Sequence, residues 1–428
     1  ALFVLLITFL RMQKTFTFKP RLKHGAALFS GMIGFGAPLS ALESEDLLHY
    51  RVGNVNIRPQ FTGGMVYNDN IFFRSDDASR QLLAGPKEGD LINQIGPGVT
   101  FTLGENPINT LSFSYNYLHR FYTDHSDVSS GDHAAALSAA VTSGKVRVST
   151  SHSLRYLTGI QGGNQLIAEQ SNRLQFSDQL RVSLDLTPKS DVYFSGSYSE
   201  TDQEETSQFA DTSNWNTAGG YGFKYSEGLR FFSQLSLGQQ ATVGRGGRGS
   251  EQIWDLVGGS IGAEGDFTEK LTGTLQFGYQ QRSSDLTGIS AGAPIVTAEL
   301  EQLLGDRTML ALTYTRANQV NADAADTASV SDNIRLTLRR ALGNREKWFA
   351  SVFGGYRQND FSSSSGSADG RSDTSFSYGG SLDYQIQEWL SSSLTYTFAD
   401  FSADIPSQPL SSIDYQVNMI SLTANIGF

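Results

Sequence analysis

Cysteine is absent, proline is scarce at 10 residues, and charged residues make up only 18% of the 428 positions. Without cysteine there can be no disulfide scaffold, thiol nucleophile or thiolate zinc site. The low charge and an apolar share of 39% fit poorly with two or three soluble domains of ordinary size. After the amino terminus no apolar run is long enough for a membrane-spanning helix. Disorder is excluded from the other side, because 27 Phe, 17 Tyr and 4 Trp need somewhere to be buried or embedded. What remains is a chain rich in Gly, Ser, Thr and aromatic residues, the composition of a β-barrel with a wet interior.

The amino terminus reads as an export leader. Residues 1–10 are apolar but too short to span a bilayer. Met12 opens a better pattern, so residues 1–11 are read as a spurious upstream extension. Lys14, Lys19, Arg21 and Lys23 precede an apolar stretch from Ala26 to Leu39, and Ser40-Ala41 offers small residues for cleavage. Residues 1–41 are therefore expected to be a signal peptide, and 42–51 a short periplasmic lead-in to a barrel over 52–428. The leader carries five basic and no acidic residues, so its removal takes the net charge from −11 to −16. So acidic a chain is not expected to bind nucleic acid.

From residue 52 onward the pattern has a period of two. Leu111, Phe113, Tyr115 and Tyr117 alternate with Ser112, Ser114 and Asn116, and Leu180, Val182 and Leu184 alternate with Arg181, Ser183 and Asp185. Eighteen such segments can be marked. After even-numbered segments the connections are short and carry turn residues, as in Ser143-Gly144-Lys145; after odd-numbered ones they are mostly longer, polar and acidic. Short turns on one rim and long loops on the other predict an all-β fold: a transmembrane antiparallel β-barrel of about 18 strands (16–20), with periplasmic turns and extracellular loops. The last segment, Ile420, Leu422, Ala424, Ile426 and Phe428, alternates to a terminal aromatic and has the form of a carboxy-terminal signal read by the barrel assembly machinery.

The tract Val55-Asn56-Ile57-Arg58-Pro59-Gln60-Phe61, with its exit Tyr67-Asn68-Asp69-Asn70-Ile71-Phe72, resembles the beta-barrel porin family of Gram-negative outer membranes. That family shows a "YxDN" element after a first strand bearing arginine and proline. The resemblance implies a barrel in the outer membrane and, since such proteins are often linked to exopolysaccharide export, polysaccharide export components as partners. The residues themselves read Asn68-Asp69-Asn70 as loop-start chemistry, short polar side chains bonding nearby backbone.

Parity assigns the charged residues to faces. Arg147, Arg155, Arg173, Arg181, Arg335 and Arg339 fall opposite apolar neighbours and are expected inside, where water removes the cost of roughly 2–4 kcal/mol for Arg on the lipid face. Inward acids are fewer, chiefly Asp185, Glu299, Glu301 and Asp383. These arginines and Glu299 and Glu301 are the candidate selectivity residues of a water-filled basic lumen passing polar or anionic solutes, with exopolysaccharide as an implied cargo. A second reading pairs them with lumen acids to stiffen a plugged structural or adhesive barrel. A third, an outer-membrane hydrolase, has little support, because Ser151 and His152 are adjacent on a strand and must point to opposite faces. No enzyme activity, metal or cofactor is expected. The expected surroundings are outer-membrane lipid and lipopolysaccharide.

Overall fold

The computed structural model describes residues 48–75, 85–104, 109–161, 169–204, 209–243, 252–284, 288–320, 327–343, 347–363, 371–404 and 413–427. The expected leader, Phe428, and the loop acids Glu205, Asp323, Asp326 and Asp369 lie outside the described residues.

Eighteen antiparallel strands close into a barrel. They are β1 (Val55–Asn68), β2 (Asp90–Leu103), β3 (Thr110–Tyr122), β4 (Ser130–Ser143), β5 (Val146–Leu157) and β6 (Arg173–Thr187). Next come β7 (Ser190–Gln203), β8 (Asp211–Lys224), β9 (Leu229–Val243), β10 (Gln252–Thr268), β11 (Leu271–Ser284) and β12 (Ile289–Gly305). The ring ends with β13 (Thr308–Val320), β14 (Thr327–Leu342), β15 (Trp348–Ser363), β16 (Ser372–Gln387), β17 (Leu390–Asp404) and β18 (Ile413–Ile426). These are the segments that the alternation predicts, with ends shifted by a few residues. Each pairs with its chain neighbours, and β18 pairs back onto β1 from Phe61↔Ile426 to Asn68↔Met419. Closure gives every strand two partners, as backbone amides in hydrocarbon require.

Two small elements were not expected. Tyr50–Val52 folds back on β1 through Gly53, whose φ of 63° suits glycine, and pairs with Val55, Asn56 and Ile57. It thereby covers the stretch of β1 that lies beyond the end of β18. A two-residue hairpin, Ile160–Gln161 with Glu169–Gln170, decorates the long connection between β5 and β6.

The outer surface explains the alternation. Leu235, Ile261 and Val352 sit in mid-strand yet are 75%, 66% and 65% exposed. An apolar band of this kind would drive aggregation in water and suits hydrocarbon instead. Aromatic residues flank it: Phe121, Tyr156, Trp215 and Tyr356 toward the long loops, and Phe223, Phe231 and Trp348 toward the short turns. Ile420 and Leu422 belong to the same band, and register places Ala424 and Ile426 on their face.

Inside, the bore is not uniform. Gly220 and Gly222 of β8 form a floor crossed by side chains from both neighbouring strands. A Cβ on Gly220 would stand 2.3 Å from the Tyr193 ring, and one on Gly222 only 2.0 Å from the Arg230 guanidinium. Toward the loop side, β12 and β13 part. Their pairing stops at Val296↔Arg316, above which Ile289–Ile295 pairs only with β11 and Ala317–Val320 only with β14. Pro294 brings no backbone N–H to this stretch. The freed end of β13 turns inward: Asn318 donates to Gln280 on β11 at 3.0 Å, and β13 comes within 8 Å (Cα–Cα) of β9 across the lumen. Trp254, Ala293, Ser329 and Ser331 are buried at this narrowing.

Candidate functional site on the inner wall

The cross-strand register gives the side on which these charges stand. Arg147 pairs with Ser183, Arg181 with Ser195, Arg155 with Gln175 and Arg335 with Thr313, all on the face opposite the apolar band. On β12, Glu299 and Glu301 stand opposite Thr274 and Thr272 of β11, also inward.

The arginines do not share one environment. Arg147 donates two hydrogen bonds of 2.9 Å to Asp185, a forked pair between β5 and β6. Arg181 lies over the ring of Tyr193, 4.2 Å from its centroid. Arg335 and Arg339 lie over Phe353 and Phe349, at 5.2 and 4.7 Å. Arg155 is exposed, and neither it nor Arg181, Arg335 or Arg339 has an acidic partner among the described residues. Arg173 is half-buried at the loop end of β6. One heavily engaged cation is placed inward by parity but is not among the candidate selectivity residues. Arg230 on β9 reaches over β8 to Asp191 with bonds of 2.9 and 2.7 Å, and bonds Glu264 on β10 at 2.7 Å. Asp191 is 2% exposed. Its signal in the sequence is the inward Gly220-x-Gly222 on the strand between, which leaves room for a long side chain to cross. On the turn side, then, the wall carries a belt of paired charges spanning β5 to β10.

Above that belt lies a polar concavity of about 340 Å³. Its inward lining includes Ser149, Ser151, Gln179, Arg181, Ser195 and Asn216. Hydroxyls and amides supply donors and acceptors in every direction, and Arg181 adds one cation held flat by Tyr193. Such a surface can bind hydroxyl-rich or anionic solutes weakly.

The "YxDN" residues close the barrel seam. Asp69 accepts from the backbone N–H and the side-chain amide of Asn418 on β18, at 2.7 and 2.8 Å. Asn70 is fully buried; its amide donates to the carbonyls of Arg74 and Gln416, and its Oδ1 accepts from the N–H of Arg74. The N–H of Asn70 donates to Asn68 Oδ1 at 2.9 Å, the local turn that its sequence suggests.

A second polar knot ties the loops after β1 and β3. His125 Nδ1 is 2.9 Å from Asp90 and its Nε2 is 2.7 Å from Glu88. Asp90 is buried and also accepts from the N–H groups of Thr123, Asp124 and His125. Hydrogen bonds that His125 donates to Asp90 and Glu88 raise its imidazole above the usual range, and those donated by His125 and Arg74 hold Glu88 below the usual carboxylate range. A raised folded-state value means that the His125 contribution is complete below about pH 6.5 and is lost as pH rises through the raised value. The Glu88 contribution is complete above about pH 4.5 and is lost as pH falls through its lowered value. Protection of the Thr123 to His125 amides, measured against their intrinsic exchange rates, should therefore be greatest near pH 5–6 and fall as pH rises through the raised His125 value. A His125→Gln variant should lose that pH-dependent fall.

No known sequence family matches the chain, and no curated protein does. Solved structures of similar outline include OpdQ of Pseudomonas aeruginosa, at 10% identity over 88% of this chain and 100% of that one, TM-score 0.45. The siderophore receptor PiuA of Acinetobacter baumannii aligns at 9% identity over 89% and 78% of the two chains, TM-score 0.46. An FrpB iron transporter variant of Neisseria meningitidis aligns at 11% over 90% and 83%, TM-score 0.43.

Proposed function

We propose that this barrel is an outer-membrane channel for small polar solutes, with a preference for anions, its short turns facing the periplasm. The observation that carries this reading is the contrast between its two faces. An apolar band between aromatic flanks covers the outside, while serine, glutamine, asparagine and arginine line the concavity within. Anionic or hydroxyl-rich sugars, including segments of an exported polysaccharide, have the chemistry that this lining would hold. Lipopolysaccharide and the barrel assembly machinery are the partners such a location supplies.

The inward turn of β13 supports a second reading, a barrel closed on its loop side and serving as a structural or adhesive element. Single-channel recording in planar bilayers separates the two. The channel reading expects discrete conductance steps smaller than those of a wide general porin, because Trp254, Ser329 and Asn318 narrow the path. Silent bilayers with correctly folded protein would overturn it in favour of the closed barrel.

A further inference from the structure

The apolar outer face is interrupted on β5 and β6. Thr150 and His152 are two residues apart and share a face, and exposed Leu154 and Tyr156 on that face show that it is the outward one. Asp178 is the register partner of His152 across the ladder. His152 Nδ1 lies 2.5 Å from Asp178 Oδ1, and His152 Nε2 lies 3.0 Å from Thr150 Oγ1. The order is carboxylate, imidazole, hydroxyl, with each ring nitrogen serving a different neighbour. Ser151 points into the lumen, as adjacency on a strand demands, and takes no part.

An ionisable pair on a lipid-facing surface is expensive and marks a functional site unless something else explains it. Packing does not explain this one, since valine or leucine at these positions would continue the band. Asp178 has outward Tyr198 as its register partner on β7, and outward Tyr156 lies four residues beyond His152 toward the long loops. Outward aromatic residues gather near the headgroups, where the ester carbonyls of lipids also lie. In front of Thr150 the surface is low. Its β4 partner is Ala139, its β6 partner is Leu180, and beyond Leu180 stands Gly196, at which a Cβ would meet only the Phe194 ring at 4.0 Å. The His152 side chain is 38% exposed, open to the bilayer side, while that of Asp178 is 13% exposed.

We propose that Thr150, His152 and Asp178 form an acyl-ester hydrolase site that opens sideways to the bilayer and takes the acyl esters of membrane lipids. The inference is independent of the channel reading. Thr150 Oγ1 attacks the ester carbonyl carbon as its proton passes to His152 Nε2, and Asp178 holds the resulting imidazolium through Nδ1–H. Collapse of the tetrahedral adduct breaks the bond to the glycerol oxygen, which leaves with the proton from Nε2. Water then attacks the acyl-threonine, gives a proton to Nε2, and releases the fatty acid while Thr150 recovers its proton. Thr150 Oγ1 also lies 3.0 Å from the Gln179 carbonyl, so its single proton must leave that acceptor before attack. Sheet N–H groups around Thr150 are committed to the ladder. Without a preformed oxyanion donor the rate should fall about 10²–10³-fold below that of a hydrolase that has one.

The test uses the refolded full barrel in phosphatidylethanolamine–phosphatidylglycerol vesicles. Fatty-acid release is followed by mass spectrometry, and covalent capture by a fluorophosphonate probe is mapped to its peptide. Slow release and a label on Thr150 are expected. T150V and H152A should lose both, T150S should retain both, and D178N should lose at least about 100-fold in release. Heat-modifiable migration and conductance of each variant confirm folding separately from lipid chemistry. No release and no label in the wild type, or release that persists in T150V, would overturn the proposal and leave the cluster as a polar ladder only.

Discussion

Replacing Arg230 with alanine is expected to cost the barrel about 3–5 kcal/mol, the largest single effect on stability foreseen here. Arg230 is the only hydrogen-bond partner of the Asp191 carboxylate among the described residues, and Asp191 is 2% exposed. Removing the guanidinium leaves a buried charge that must be either hydrated in a cramped site or protonated, and both are costly. Glu264 would suffer much less, because its side chain is 41% exposed and water can replace Arg230 there. Lysine should rescue poorly, since it cannot reproduce the forked contact to Asp191. The R230Q/D191N double variant should recover most of the loss, because the charge and its counter-charge leave together. Urea titration of the heat-modifiable folded band measures all three. A loss below about 1 kcal/mol in R230A would show that the pair is solvated and that the belt does not stiffen the wall. Gly222→Ala should act in the same direction, since its Cβ would occupy the space that the guanidinium fills.

The period of two made the fold legible. Alternation is a one-dimensional property, so strand number, facing and the asymmetry of turns and loops could all be read along the chain, from Leu111 to Ile426. Placing Arg147, Arg181, Arg335 and Glu299 inside needed only parity. What each does there needed the cross-strand register, which no local pattern contains. Arg147 finds Asp185, 38 residues on, and Arg230 finds Asp191, 39 residues back, over an intervening strand. The hydroxyl partner of His152 was hidden for the opposite reason. Adjacent Ser151 draws the eye and faces the wrong way, while Thr150 sits on the right face without a motif, and Asp178 is 26 residues distant. The inward turn of β13 was also illegible: Pro294 hints at a weakened ladder, but only the full ring shows that the neighbouring strand leaves the wall.

Anion preference at low salt is the expected electrical behaviour of the channel, and it should rest on the arginines that no carboxylate neutralises. Arg147 and Asp185 form a pair with little net field at a distance, so the R147Q/D185N double variant should leave the reversal potential in a salt gradient nearly unchanged. Arg155, Arg181, Arg335 and Arg339 are different. Their positive charge faces the lumen, and two such charges roughly 8 Å apart would repel by about 2 kcal/mol at an effective dielectric near 20. Mobile anions relieve that repulsion by residing nearby. On the closed ring β14 stands nine strands from β5, so the charges of Arg335 and Arg339 act on the lumen from the side opposite Arg155. The R155Q/R181Q/R335Q/R339Q variant should move the reversal potential from the anion side to zero or beyond. The crossing to the cation side would come from Glu299 and Glu301, exposed on β12 and then opposed by fewer inward arginines. E299Q/E301Q in the wild-type background should conversely strengthen anion preference. All these shifts should shrink as salt rises from 0.01 M toward 1 M, because the screening length falls from about 30 Å to about 3 Å. A reversal potential that stays on the anion side in the quadruple variant would show that these arginines do not set selectivity. Cation preference in the wild type would assign that control to the acidic residues of the long connections.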